Sequence, residues 1–332
     1  MSEAIKPKLI VHIGMGKTGT TSIQRALRIS TKELDSKGVK YLGMWFEFER
    51  DSFVGTKETV KFFKLDEDAL HEYAREYANL LYKYADEDNK HKFVISNEQF
   101  FANFSCILPF FRELSKTVDL EVLCFVRSPE HWLPSAYAQW GVVNKTYSGF
   151  VKSFDNFGAD LLMRYKMIEK WADAFQENFK IVQISEAENS ISVFESLADL
   201  RLLNINRSNV RLEPEDILLR AIFNNAQTTP SNQKYFDRVI FGENGKMFSS
   251  VDAIQRCIST ESIGSLIDSH SELFSRLNSR FSMDLTAIEL TKDGLKSAVN
   301  SKKLQSKMIE IILNCCERIF VLEEEVKSMR KQ

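Results

Sequence analysis

Three short stretches of this chain carry residue types that could do chemistry. In the first, an apolar run, Leu9-Ile10-Val11-His12-Ile13, leads into Gly14-Met15-Gly16-Lys17-Thr18-Gly19-Thr20-Thr21-Ser22. Ile23 and Leu27 then follow at helical spacing. A strand, a glycine-bearing turn and a helix start make an anion cradle, because backbone N–H groups and the helix dipole point at one spot. Lys17 adds a full positive charge, and Thr18, Thr20 and Thr21 add hydroxyl donors. The stretch is not a Walker A loop: that pattern finds Gly16-Lys17-Thr18 but meets Val11 where its first glycine belongs. In the second stretch, Val126-Arg127-Ser128-Pro129 closes a strand-like run, and the helix that Pro129 opens carries Ser135, Tyr137 and Gln139. A guanidinium fork and a hydroxyl can converge there on one oxyanion. In the third, Phe93-Val94-Ile95-Ser96-Asn97-Glu98 sets a carboxylate just past a strand, where a general base could stand. Plainer readings stand beside these. The first is an ordinary turn capped by a threonine, Arg127 caps a neighbouring helix, Ser135 is helical surface, and Glu98 meets a helix dipole.

Lys17-Thr18-Gly19-Thr20-Thr21-Ser22 resembles the 5′-phosphosulfate loop of the sulfotransferases that use 3′-phosphoadenosine-5′-phosphosulfate (PAPS). Arg127 with Ser135, and Tyr137 two places beyond, resembles the family's 3′-phosphate site. A fainter likeness to bacterial sulfotransferases of the P-loop type runs through Arg164-Tyr165 and Glu169 to Phe175, so the resemblance covers residues 8 to 185. Beyond that only the Arg220 to Asn225 helix end is vaguely similar, and Gly242 to Lys246 matches poorly the basic loop that closes over PAPS in animal enzymes.

The resemblance implies PAPS held by Gly16, Lys17, Thr18, Gly19, Thr20, Thr21, Ser22, Arg127 and Ser135, without metal. It also implies transfer of a sulfuryl group to a hydroxyl acceptor, and the aromatic loop at 45–63 with the near-neutral charge favours a sugar or other polyhydroxy acceptor over a polyanion. Sulfuryl transfer, like phosphoryl transfer, is expected to pass through a loose in-line transition state. Lys17 can meet charge on the leaving group. The family's base is a His or Glu near a strand end, which makes Glu98 the first choice and Glu47 and Glu49 alternatives. His12, inside a strand, reads as a buried, hydrogen-bonded histidine, and His131 as facing solvent. Two readings from other classes stay open. One is a P-loop kinase or NTPase with Glu98 pressed into holding Mg²⁺. The other is a non-catalytic module that binds adenosine 3′,5′-bisphosphate (PAP) while its helical half recruits partners.

The elements that must position these residues alternate. Strands are expected in the apolar run that opens the Lys8 to Ile23 stretch and at Val39 to Met44, Lys92 to Ser96, Leu120 to Val126 and Phe179 to Ile184. Helices are expected at Glu67 to Ala85, Cys106 to Leu114 and Leu161 to Gln176. Such alternation predicts an α/β fold, a three-layer P-loop-type parallel sheet flanked by helices, with ligands at the strands' carboxyl ends. The aromatic, charged connection from Trp45 to Lys64 reads as a lid or substrate wall. From about Glu186 helical patterns dominate (Ser192 to Leu200, Glu213 to Asn224, Val251 to Phe281, Ser301 to Met329). The expected division is therefore a core over 1–186 and a mostly helical C-terminal extension over 187–332. In the last helix Leu304, Met308, Ile311, Cys315, Ile319, Leu322, Val326 and Met329 form a narrow apolar seam. It is expected to pack on Val251 to Phe281, with a homodimer as the alternative.

Composition sets outer bounds. A net charge of −2 gives no basic excess, so nucleic acid is not an expected partner. With 25 Phe among 332 residues, aromatic rings are expected to fill the core. No run reaches membrane-spanning length, Met1 to Lys8 does not read as a signal peptide, and five cysteines without C-x-x-C fit a reducing cytoplasm.

Overall fold

The computed structural model describes residues 6–44, 56–185, 189–203, 212–225, 227, 229–231, 251–286 and 299–329. In chain order the elements are β1 (Lys8–Gly14), α1 (Thr20–Ile29), α2 (Thr31–Ser36), β2 (Val39–Tyr41), α3 (Thr56–Phe62), α4 (Glu67–Asp88) and β3 (Lys92–Ser96). Next come α5 (Glu98–Ala102), α6 (Phe104–Ser115), β4 (Asp119–Val126), α7 (Pro129–Tyr137), α8 (Phe154–Leu162), α9 (Lys166–Phe175) and β5 (Phe179–Gln183). Helices α10 (Ser190–Ala198), α11 (Pro214–Asn225), α12 (Val251–Cys257), α13 (Ile263–Asp268), α14 (Ser271–Phe281) and α15 (Ser301–Met329) complete the series. The fold is α/β with one all-parallel sheet, in the order β2-β3-β1-β4-β5.

Strand β1 is central, and the strand order reverses across it. Leu9, Ile10, Val11 and Ile13 are all buried, so both faces of the strand are covered, as parallel sheets require. On one face Ile10, Val94, Leu123 and Phe125 pack with Ile23 and Leu27 of α1, Leu34 of α2 and Phe194 of α10. Helices α6 and α9 lie against β4 and β5. Their rings build an aromatic core in which Phe104 and Phe111 meet Trp171, and Trp171 stacks on Phe175. Cys124, fully buried in β4, behaves as a small apolar residue, and loss of water pushes its thiol well up.

Two expectations change. The aromatic connection is not wholly a loop: its second part is α3, and Phe62 is 1% exposed, ringed by Tyr73 and Phe110, so this ring is core and not substrate wall. Residues 45–55 of that connection, with Glu47 and Glu49, lie outside the described residues, as does the Gly242 to Lys246 stretch. The helix expected over Val251 to Phe281 is three helices. Serines mark the first break: Ser259 Oγ accepts from Glu261 N at 3.4 Å, a local bond that competes with the helical backbone, and Ser262 Oγ hydrogen-bonds Asp155.

Two compact units interleave in sequence. The first, Met1–Trp132 with Met163–Asn209 and Glu272–Thr286, holds the sheet. The second, Leu133–Leu162 with Val210–Ser271 and Ala287–Gln332, is helical among the described residues. Inside the second, the buried Lys145 side chain donates to the carbonyls of Gly149, of Asn224 at 3.1 Å and of Gln227 at 2.5 Å, closing the end of α11. No described helix is long and apolar enough to cross a membrane.

Candidate functional site

The loop between β1 and α1 is held at its start by parts distant in sequence. Met15 N donates to the Phe125 carbonyl of β4 at 2.9 Å, and Trp132 Nε1 donates to the Gly16 carbonyl at 2.8 Å. Beyond these anchors the backbone takes left-handed conformations at Lys17 (φ 72°) and Gly19 (φ 90°). Such a conformation costs a non-glycine residue on the order of 1–3 kcal/mol, and it persists only where the surroundings impose it. It leaves the Lys17 side chain exposed while Thr18 and Thr20 turn inward, their hydroxyls 3.5 Å apart. Thr21 is exposed and Ser22 half-buried at the first turn of α1.

No side chain caps α1, and no acidic residue sits in its first turn. The positive end of the helix is therefore not offset locally, and the leading N–H groups face the loop. Glycine is required at two places. A Cβ on Gly14 would lie 2.5 Å from Thr18 Oγ1 and 2.7 Å from Thr20 Oγ1, and one on Gly19 would lie 2.2 Å from Ser190 Oγ. Buried hydroxyls, an exposed ammonium and an uncapped helix end suit an anion of the size of a phosphate or sulfate group.

Parallel pairing brings the other two stretches to the same carboxyl edge. His12 of β1 sits opposite Ser96 of β3, and Gly14 opposite Phe125 of β4, so Glu98 and Arg127 leave the sheet on either side of the loop. Asn97 caps α5 by accepting from Gln99 N at 2.9 Å, and its own N donates to the His12 carbonyl at 3.0 Å. Glu98, the first residue of α5, is half-buried, and Gln24 of α1 donates to its Oε2 at 2.9 Å and to the Ser96 carbonyl at 3.1 Å. One side chain of the anion-loop helix thus fixes the carboxylate. Gln24 was missed by sequence reasoning. Its signal is a long polar residue on the buried stripe of α1, four positions after Thr20.

Arg127 is half-buried just past β4. Its carbonyl accepts from Tyr165 Oη at 2.6 Å, and the Tyr165 ring meets Trp132 edge-on at 5.5 Å. Burial raises the Tyr165 hydroxyl well above its usual range, against the opposing pull of the Arg127 charge, so it stays a neutral donor. Ser135 is half-buried on the portion of α7 that belongs to the second unit. His131, expected to face solvent, is half-buried.

His12 is fully buried. Its Nδ1 lies 2.8 Å from Ser96 Oγ, and its ring meets Phe125 and Phe194 edge-on at 4.8 and 5.4 Å. Loss of water lowers its pKa to about 3, so the ring is neutral at ordinary pH and acts as a wedge under the loop. No protein-family model matches the chain, and a search of curated proteins finds no match.

Proposed function

We propose that the protein is a PAPS-dependent sulfotransferase acting on a hydroxyl of a carbohydrate or other polyhydroxy acceptor. The supporting observation is the carboxyl edge of the sheet. An uncapped helix with Lys17 and inward hydroxyls stands there between a fixed carboxylate, Glu98, and a guanidinium, Arg127. The residues Gly16 to Ser22 suit the 5′-phosphosulfate, and Arg127 the 3′-phosphate; for Ser135 the support is its spacing from Arg127 in sequence. PAPS, when bound, supplies a sulfuryl group on a good leaving group. Lys17 meets negative charge on that leaving group, and Glu98 accepts the proton of the acceptor hydroxyl. Gln24 holds Glu98 in one orientation, so the base is placed before the acceptor arrives. Transfer needs no metal in this reading, because Lys17 and the α1 dipole supply the positive charge. We place the enzyme in the cytoplasm, and we place a second copy of the chain on helix α15.

Incubation with radiolabelled PAPS and a panel of carbohydrate, lipid and phenolic acceptors tests the reading. Sulfated product is expected with a polyhydroxy acceptor, in EDTA as well as in buffer. Glu98→Gln should lower turnover by about two to four orders of magnitude while PAP affinity stays nearly unchanged. Arg127→Ala should weaken PAP several-fold more than adenosine 5′-phosphosulfate, which lacks the 3′-phosphate. ATP turnover that depends on Mg²⁺ would establish the kinase reading instead, and PAP binding without transfer to any acceptor would leave a binding module.

A further inference from the structure

Among the described residues, helix α15 packs some of its apolar residues within the chain and leaves others exposed. Asn300 caps its start, accepting from Lys302 N at 3.0 Å and Lys303 N at 3.1 Å. Its first turns pack on α11, where Lys307 pairs with Glu213 at 3.1 Å and Asp216 at 2.7 Å. Leu304, Lys307 and Ile311 are half-buried on this inner face. Leu304 and Ile311 therefore leave the seam that spacing alone suggests, and the partner is α11 and not the helices within Val251 to Phe281.

A second stripe of Met308, Ile312, Ile319, Leu322, Val326 and Met329, with the half-buried Cys315, recurs at spacings that alternate four and three without a break, and Ile309, Leu313 and Val321 are exposed beside it. Apart from the half-buried Cys315, these residues are between 42% (Val326) and 65% (Met329) exposed in the full chain. A seven-residue repeat of this kind is the seam of a coiled coil. Exposed apolar patches of this extent mark interaction surfaces.

We infer that this stripe pairs with the same stripe of a second copy, as a parallel, in-register, two-stranded coiled coil. The inference deepens the placing of a second copy on α15 and is independent of the transferase chemistry. The spacing sets Ile312, Ile319 and Val326 at the a positions and Met308, Cys315, Leu322 and Met329 at d. Branched Ile and Val at a, with unbranched-β residues at d, favour two parallel strands. Charge agrees. In that register Arg318, at g, faces Glu323 of the other copy, at e, and the two-fold axis makes the pair twice. Side by side in this way the flanks attract, whereas an antiparallel pairing sets g against g and e against e. A second copy is therefore the occupant whose charges the helix itself supplies.

Light scattering on the full chain is expected to give twice the 38.3 kDa of one chain. Ile319→Asp should convert it to a monomer with unchanged helix content, since the residue touches water in the single chain. Arg318→Glu and Glu323→Arg should each weaken the dimer roughly tenfold, as two exposed attractive pairs become repulsive. An equimolar mixture of these two single variants, and the double variant, should recover wild-type affinity, because each restores opposite charges across the seam. A wild-type chain that stays monomeric at high concentration overturns the proposal. So does a dimer that Ile319→Asp leaves intact. Loss of the dimer on Ile319→Asp without recovery in the mixed variants overturns the parallel register alone, and keeps a second copy on α15.

Discussion

Gly19 and His12 show how single residues shape the anion loop. Gly19 combines a φ of 90° with the near contact of Ser190, so Gly19→Ala meets both backbone strain and a clash. Substitution should cost about 1–3 kcal/mol in urea unfolding and also weaken PAP, as seen by calorimetry, because the start of α1 must shift. A variant as stable as wild type would mean that the loop relaxes freely. His12 gives a pH signature. Its folded pKa of about 3 lies below the usual 6.5, so between these values the unfolded chain binds a proton that the folded chain does not. The stability that the neutral ring allows is complete above pH 6.5 and is lost as pH falls toward 3, by at most on the order of 5 kcal/mol. His12→Asn should flatten the fall in urea midpoint between pH 6.5 and 4. An unchanged slope would assign the acid sensitivity elsewhere.

At the scale of elements, α1 joins the loop after β1 to the carboxylate proposed as the base. Its N-terminus faces the loop, and Gln24, just over one turn along, holds Glu98 across the gap to α5. Gln24→Ala should lower kcat about tenfold or more with little change in PAP affinity, whereas a merely structural role would lower stability and leave kcat per folded molecule alone. In the second unit α11 ends on Lys145. Burial lowers the pKa of this amine, yet three carbonyls hold it. Lys145→Met keeps the volume but leaves those carbonyls without their donor, a loss of about 2–4 kcal/mol in the unfolding of the second unit. PAP binding should survive, since the loop lies in the first unit.

For the whole molecule, ligand linkage provides the broadest test. A ligand that binds only the folded chain stabilises it by about 2.7 kcal/mol at a hundred times its dissociation constant. PAP at that excess should raise the melting temperature equally in EDTA and in Mg²⁺. A shift that requires Mg²⁺, or one given by ATP and not by PAP, would overturn the donor assignment. Ile319→Asp should show the same PAP shift, because the proposed dimer seam and the loop after β1 lie in different units.

Much of this protein is local, and the local part was legible from residue order. The strand-loop-helix unit around Lys17, the strand Lys92–Ser96 and the helix Ser301–Met329 follow from period and turn chemistry within a few residues. The alternation of strands and helices likewise implied a parallel sheet covered on both faces. Contacts across long stretches of chain were not legible. Gln24 meets Glu98 across 74 positions, His12 meets Ser96 across 84, and Trp132 meets Gly16 across 116. No periodicity encodes such a pair, because each is set by strand order and register after the chain has folded. The C-terminal helix shows the same limit. Leu304, Met308, Ile311 and Ile312 all fit an apolar period, and Leu304 and Ile311 are the half-buried ones, on the side where Lys307 pairs with Glu213 and Asp216. Helical period determined that an apolar seam exists; tertiary packing decided which residues form it.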